Sequence, residues 1–362
     1  MTRPIRTLAI VTAALALPLV LAPATHAQSA PSPSDRAAWH ENRTKQLTKE
    51  FHDAYEAGAY EEAIRAGYEL VRHDQLNGLS AYNLACAFAL DGRLDEAAKW
   101  LRNAGTHGYD RPEHARHDPD FDAIRDHPVY REAMLVIRTN REHDLEQFKV
   151  WWDRQPLIVI KPELEPEGPA PLIVALHGYG STGQDMAERW RKVASDAGAV
   201  LVAPESGRTI EGQNGFQWTM EDEAEWIVRR SIERAQAHTK IDAERIVLTG
   251  FSQGGYIAIR HGLKFPESVA GVIPVAGLYD AQRTPFNEFK PSTPLPRFYL
   301  MVGARDEMLE SMRTAEKAFD ERGGQVELVV YDNVGHTFPP DTDEELAKAL
   351  EYVLHEHETP SE

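Results

Sequence analysis

One turn constrains this chain more than any other feature. The hexapeptide Gly250-Phe251-Ser252-Gln253-Gly254-Gly255 follows the β-branched run Ile246-Val247-Leu248 and precedes a helical pattern over 253–264. A serine between glycines at a sharp strand-to-helix turn sits in a strained backbone conformation that only small neighbours permit. Its Oγ then stands clear of the sheet, and the helix N-terminus beside it favours developing negative charge. Ser252 is therefore the candidate nucleophile, and the turn calls for a sheet whose strands feed helices.

The sequence from residue 156 onward has that texture. Runs at 157–160, 172–176, 200–202, 246–248, 269–275, 298–302 and 326–331 read as strands. Helical patterns at 184–197, 222–238, 253–264, 308–322 and 342–355 lie between most of them. Such alternation predicts a mostly parallel sheet covered on both faces, with its site at the carboxyl ends of the strands.

A nucleophilic serine needs a base and an acid that orients the base, in the chain order Ser, Asp, His for this kind of turn. Asp306 follows the strand 298–302 in Gly303-Ala304-Arg305-Asp306-Glu307, and His336 follows 326–331 in Asn333-Val334-Gly335-His336-Thr337. Glu307 and Asp332 are neighbouring alternatives for the acid. Leu176-His177-Gly178-Tyr179-Gly180 also follows an apolar strand. Glycines there let the backbone approach a substrate, so the N–H groups of Tyr179 and Gln253 are the expected oxyanion donors. His177 reads as a structural residue under the loop. The stretch 205–222, which holds Phe216 and Trp218, is expected to overhang the site. Those two rings either line an acyl or aromatic pocket or fill the core of a rigid loop.

Residues 35–150 are helical throughout in pattern. Gly58-Ala59-Tyr60-Glu61-Glu62-Ala63 aligns with Gly92-Arg93-Leu94-Asp95-Glu96-Ala97 at an offset of 34 residues. That period, with a glycine in the turn and a small residue where helices touch, resembles the tetratricopeptide repeat. Only two units are clear, with capping helices expected over 119–138, so the region should pack on further elements. It either presents a groove to a peptide or protein partner or caps the second domain, and Trp151-Trp152 would suit an inter-domain contact.

Residues 1–27 read as a secretory signal: Arg3 and Arg6, then an apolar run from Leu8 to Leu21, then Thr25-His26-Ala27. A flexible leader over 28–34, a tetratricopeptide-like domain over 35–150 and a catalytic domain over 151–362 follow. The expected location is periplasmic or secreted, without stable membrane insertion after cleavage. The lone cysteine, Cys86, excludes an internal disulfide and reads as a core residue. An excess of 57 Asp and Glu over 39 Lys and Arg gives a net charge of −18, which disfavours nucleic acid and anionic membrane as partners. His114-Ala115-Arg116-His117 and His355-Glu356-His357 lack carboxylates at metal-binding spacing, so no metal is expected.

The segments 172–180, 245–255, 303–306 and 335–336 together resemble the phospholipase/carboxylesterase family of α/β-hydrolases, to which acyl-protein thioesterases belong. The resemblance covers roughly 156–357. It implies an α/β-hydrolase fold that hydrolyses a carboxylic ester or thioester through an acyl-serine intermediate, without cofactor. Ser-Thr-Gly-Gln-Asp after the oxyanion segment departs from the family's usual Asp-Thr-Gly. The absence of a large lid insertion favours short acyl, aryl or sugar esters. A serine peptidase resembling prolyl-oligopeptidase-type enzymes, and a helical-repeat binding protein with an inactive hydrolase scaffold, are the competing readings.

Overall fold

The computed structural model describes residues 33–73, 77–163, 166–281 and 293–355. The expected signal peptide lies outside them. The leader lies outside them up to residue 32, and a helix already starts at Pro33. The chain divides into two compact units, 1–138 and 139–362. The division falls inside a helix, whereas the boundary expected from sequence falls at 150.

The first unit holds α1 (Pro33–Glu56), α2 (Tyr60–His73), α3 (Gly78–Leu90), α4 (Leu94–Thr106), α5 (Pro112–His117), a 3-10 turn at Pro119–Ile124 and the start of α6 (Pro128–Trp152). The repeat seen in sequence has a local cause. Gly58 and Gly92 take φ of 70° and 78° after α1 and α3, where an L side chain would be strained. Ala59 N–H then donates to Ala54 O at 2.9 Å, and Arg93 N–H to Phe88 O at 2.9 Å, closing the same turn twice. The paired alanines, Ala63 and Ala97, are fully buried among Phe51, Leu84, Phe88 and Leu101. Cys86 belongs to the same core, and burial pushes its thiol pKa up.

The second unit is a seven-stranded sheet flanked by helices. Its strands are β1 (Ile158–Ile160), β2 (Ala170–Leu176), β3 (Val200–Ala203), β6 (Ile241–Phe251), β7 (Gly271–Val275), β8 (Arg297–Gly303) and β9 (Val326–Tyr331), with a two-residue ribbon of β4 (Arg208–Thr209) and β5 (Phe216–Gln217) between β3 and β6. The spatial order is β1-β3-β2-β6-β7-β8-β9, parallel except for the edge strand β1. Its helices are α7 (Gly183–Asp196), α8 (Glu221–His238), α9 (Gln253–Lys264), α10 (Leu309–Glu321) and α11 (Thr342–Leu354).

The two-residue side-chain period of a strand sorts the core into two layers. Leu172, Val174, Leu176, Leu248, Leu300 and Val302 face α8, α9 and α10. Ile173, Ala175, Val247, Ile273 and Met301 face α7 and α11. From β2 the chain moves outward to β3, then returns to β6 on the other side of β2. The strand order therefore reverses between β2 and β6, where open parallel sheets carry their crevice.

Two features were not expected. Trp152 is buried in the core of the second unit, with its ring edge-on to Trp226 and its Nε1–H donating to Glu205 O at 2.9 Å. It serves that unit's interior. Nearby, Arg141 and Arg208 share Asp144 and the buried Glu223, and Arg141 also bridges Asp222. Among the described residues, no helix is long and apolar enough to cross a membrane.

Candidate active site

β6 ends at Phe251, and Ser252 turns into α9 with φ 53° and ψ −114°. The surrounding glycines are there because nothing larger fits. A Cβ on Gly254 would stand 2.3 Å from Leu176 O, and one on Gly255 would stand 2.8 Å from Gly277 Cα. Ser252 N–H donates to Val275 O at 2.9 Å, which anchors the turn on the neighbouring strand.

Asp306 and His336 lie on the loops after β8 and β9, at the same sheet edge. The His336 Nε2 atom is 2.8 Å from Ser252 Oγ, and His336 Nδ1 is 3.0 Å from both carboxylate oxygens of Asp306. An acceptor carboxylate on Nδ1 fixes the proton there and leaves Nε2 to accept the serine hydroxyl. The Asp306 carboxylate is enclosed and also accepts Met308 N–H at 2.9 Å. Glu307 and Asp332 are exposed, so the structure joins Asp306, and neither neighbour, to the imidazole.

The N–H of Gln253 opens α9, so the helix supplies no acceptor for it. Among the described residues neither this N–H nor that of Tyr179 has a protein acceptor. Gly178, just before Tyr179, passes so close to β6 that a Cβ would meet the Phe251 ring at 2.9 Å.

His177, read from sequence as lying under the loop, is fully buried. Burial lowers its pKa, and its ring stacks on Trp218 with centroids 5.1 Å apart. Trp218 is buried too: its Nε1–H donates to His177 O at 2.9 Å, and its backbone pairs with the Gln253 side-chain amide. The ring therefore packs in the core of the loop. Phe216 is half-buried, and its backbone pairs with the segment after Tyr179 through Gly180 N–H and Ser181 O, at 2.9 and 3.0 Å. The stretch 205–222 is thus a short ribbon laced to the Tyr179 segment.

Sequence reasoning missed several residues here. Glu205 accepts Gly183 N–H at 2.9 Å, and Ser206 N–H donates to His177 Nε2 at 3.1 Å. Both residues follow β3 directly, so their place at a strand's carboxyl end was a usable signal. Phe251 and Phe338 stack beside the His336 ring, and the Arg189 guanidinium covers Phe338. Among the described residues, one trio with metal-ligand chemistry comes together, Cys86, Asp118 and Asp120. It lies in the first unit, where the Tyr82 and Tyr55 hydroxyls already donate to its two carboxylates.

A mostly parallel sheet with a serine elbow at its switch point, and an aspartate and a histidine on later strand-end loops, defines the α/β-hydrolase fold. Residues 158–354 match the family model described as phospholipase/carboxylesterase, and the chain belongs to that family. It is 26% identical over 212 residues to acyl-protein thioesterase 1 of Aspergillus fumigatus, covering 50% of this chain and 87% of that protein. It is 26% identical over 147 residues to a bifunctional acetylxylan esterase/xylanase of Neocallimastix patriciarum, covering 39% of this chain and 20% of that protein. A crystal structure of esterase PE8 overlays 55% of this chain and 98% of its own, at 24% identity and a TM-score of 0.45. The chain spans only 20–38% of the length of three of the curated relatives it matches.

Proposed function

We propose that this protein is a serine-dependent carboxylic ester hydrolase. The observation that carries the reading is the continuous line Ser252 Oγ–His336–Asp306; the N–H groups of Tyr179 and Gln253 have no protein acceptor among the described residues. In this reading His336 Nε2 takes the Ser252 proton as Oγ attacks the ester carbonyl. Asp306 keeps the imidazole in the required tautomer and stabilises the imidazolium. The N–H groups of Tyr179 and Gln253 receive the oxyanion. The imidazolium protonates the leaving alcohol, and water then repeats the sequence on the acyl-serine.

The substrate class is short acyl esters of small alcohols, phenols or sugars, with thioesters as an extension suggested by the thioesterase relatives. Support comes from the connection between β3 and α8, which among the described residues is a short ribbon laced to the Tyr179 segment. The segment 1–27 supports export, to the periplasm or the medium. The helical region is proposed to dock a peptide or protein, or to act as a structural cap.

Hydrolysis of p-nitrophenyl acetate and butyrate by the full chain tests the chemistry. Ser252→Ala should lower kcat by on the order of 10⁶. A fluorophosphonate should label wild type and not the variant. Undiminished turnover in Ser252→Ala, or faster cleavage of prolyl amides than of esters, would overturn the reading.

A further inference from the structure

If Tyr179 N–H receives the oxyanion, it has to be aimed. A peptide group is planar and trans, so the carbonyl of one residue and the N–H of the next point in opposite directions in one plane. Gly178 C=O and Tyr179 N–H are the two ends of such a plane. Gly178 leaves its plane free to rotate, because glycine carries no Cβ to restrict ψ. Its carbonyl oxygen takes two donors, the His177 ring at 2.8 Å through Nδ1 and Ser181 N–H at 3.3 Å. The imidazole is the closer of the two.

The ring itself has one protonation pattern available. Ser206 N–H donates to Nε2 at 3.1 Å, so Nε2 must be bare. Gly178 O can only accept, so Nδ1 must carry the proton. The alternative Nε2–H form would face the Ser206 N–H donor, with the Glu205 carboxylate too far for a hydrogen bond at 3.8 Å. The Trp218 ring packs against the imidazole, and Trp218 Nε1–H holds the His177 carbonyl. Burial disfavours the charged imidazolium, which agrees with the neutral form.

We propose that His177 is a positioning residue for the chemistry at Ser252: its Nδ1–H holds the Gly178 carbonyl and so points the Tyr179 N–H at the oxyanion. The proposal rests on the esterase reading above. His177 touches neither substrate nor Ser252 and acts through one peptide plane.

Two substitutions separate aiming from mere packing. An asparagine amide nitrogen falls near the place of Nδ1, so His177→Asn keeps a donor for Gly178 O. A glutamine carbonyl falls near the place of Nε2, so His177→Gln keeps the acceptor for Ser206 N–H and loses that donor. The expected result is a kcat lowered by about 10²–10³ in His177→Gln with KM changed little, and a kcat within about tenfold of wild type in His177→Asn. Equal losses in both, or an unchanged kcat in a folded His177→Gln, would overturn the proposal. An ¹⁵N imidazole spectrum of the intact wild type needs no folded variant. It should contain a neutral ring in contact with the Trp218 indole, protonated on Nδ1 and bare on Nε2; an Nε2–H ring there overturns the proposal. A wild type inert to esters and to fluorophosphonate fails the esterase reading. A labelled, active wild type with a wild-type kcat in His177→Gln fails this proposal alone.

Discussion

Gly250 and Gly254 approach so closely that a Cβ on Gly250 would stand 2.3 Å from the Gly254 carbonyl oxygen. β6 and α9 meet backbone to backbone around Ser252, whose φ of 53° is uncommon for a residue with a side chain. Gly250→Ala must push the strand and the helix apart. It is expected to lower stability by about 1–3 kcal/mol, as overpacking does, and to slow fluorophosphonate labelling of Ser252. Gly168→Ala, where a Cβ would meet nothing within 4 Å, should leave both unchanged. Urea unfolding and labelling rates check the pair.

Asp306 is enclosed and acts on Ser252 only through His336. Asp306→Asn should keep the fold and lower kcat by on the order of 10⁴, because the imidazole tautomer is no longer fixed. Steady-state kinetics on p-nitrophenyl butyrate read the effect. A loss smaller than about tenfold would mean that Glu307 or Asp332 can orient the base.

Glu223 is buried between the guanidinium groups of Arg141 and Arg208. Glu223→Gln leaves both facing a neutral amide, although Asp144 and Asp222 remain. The expected loss is about 3 kcal/mol, the low end for breaking a buried ion pair from one side. A chemical unfolding midpoint equal to wild type would show that the remaining aspartates suffice.

His261 is buried, and its pKa falls from an ordinary 6.5 to about 3, first through burial and then through the charges of Arg229 and Lys264. Between those values the unfolded chain binds a proton that the folded chain does not. The folded state is therefore at full strength above about pH 6.5 and loses ground as pH falls toward 3, by up to about 1.4 kcal/mol per pH unit from this residue. His261→Gln should flatten the curve over that interval, as measured by urea midpoints from pH 7 to pH 4. His177, lowered by burial as well, steepens the curve in the same direction.

Much of the second unit was legible because its signals are local. The alternation that sorts Leu172, Val174 and Leu176 from Ile173 and Ala175 lies within one strand, and the Ser252 turn carries its glycines beside it. Asp306 and His336 were legible from strand-end position and chain order. The ribbon of Arg208–Thr209 with Phe216–Gln217 was not, because two-residue strands have no period to read. The buried ion cluster was not legible either: Arg141 and Glu223 stand 82 positions apart, and on paper each looks like an ordinary charged helix residue. The place of Trp218 was not legible from its neighbours, because its hydrogen bond to His177 O spans 41 positions.

Helix α6 has a practical consequence for dissecting the protein. Arg141, Phe148 and Trp152 lie on it and are committed to the second unit, through the ion cluster, the core, and the hydrogen bond to Glu205. A truncation at 151, the start expected for the catalytic domain, would strip two of the three and strand Glu223 without its most enclosed counter-ion. An excised hydrolase that misfolds would then report the missing arginine rather than any dependence on the helical repeats. The informative cut lies before Thr139.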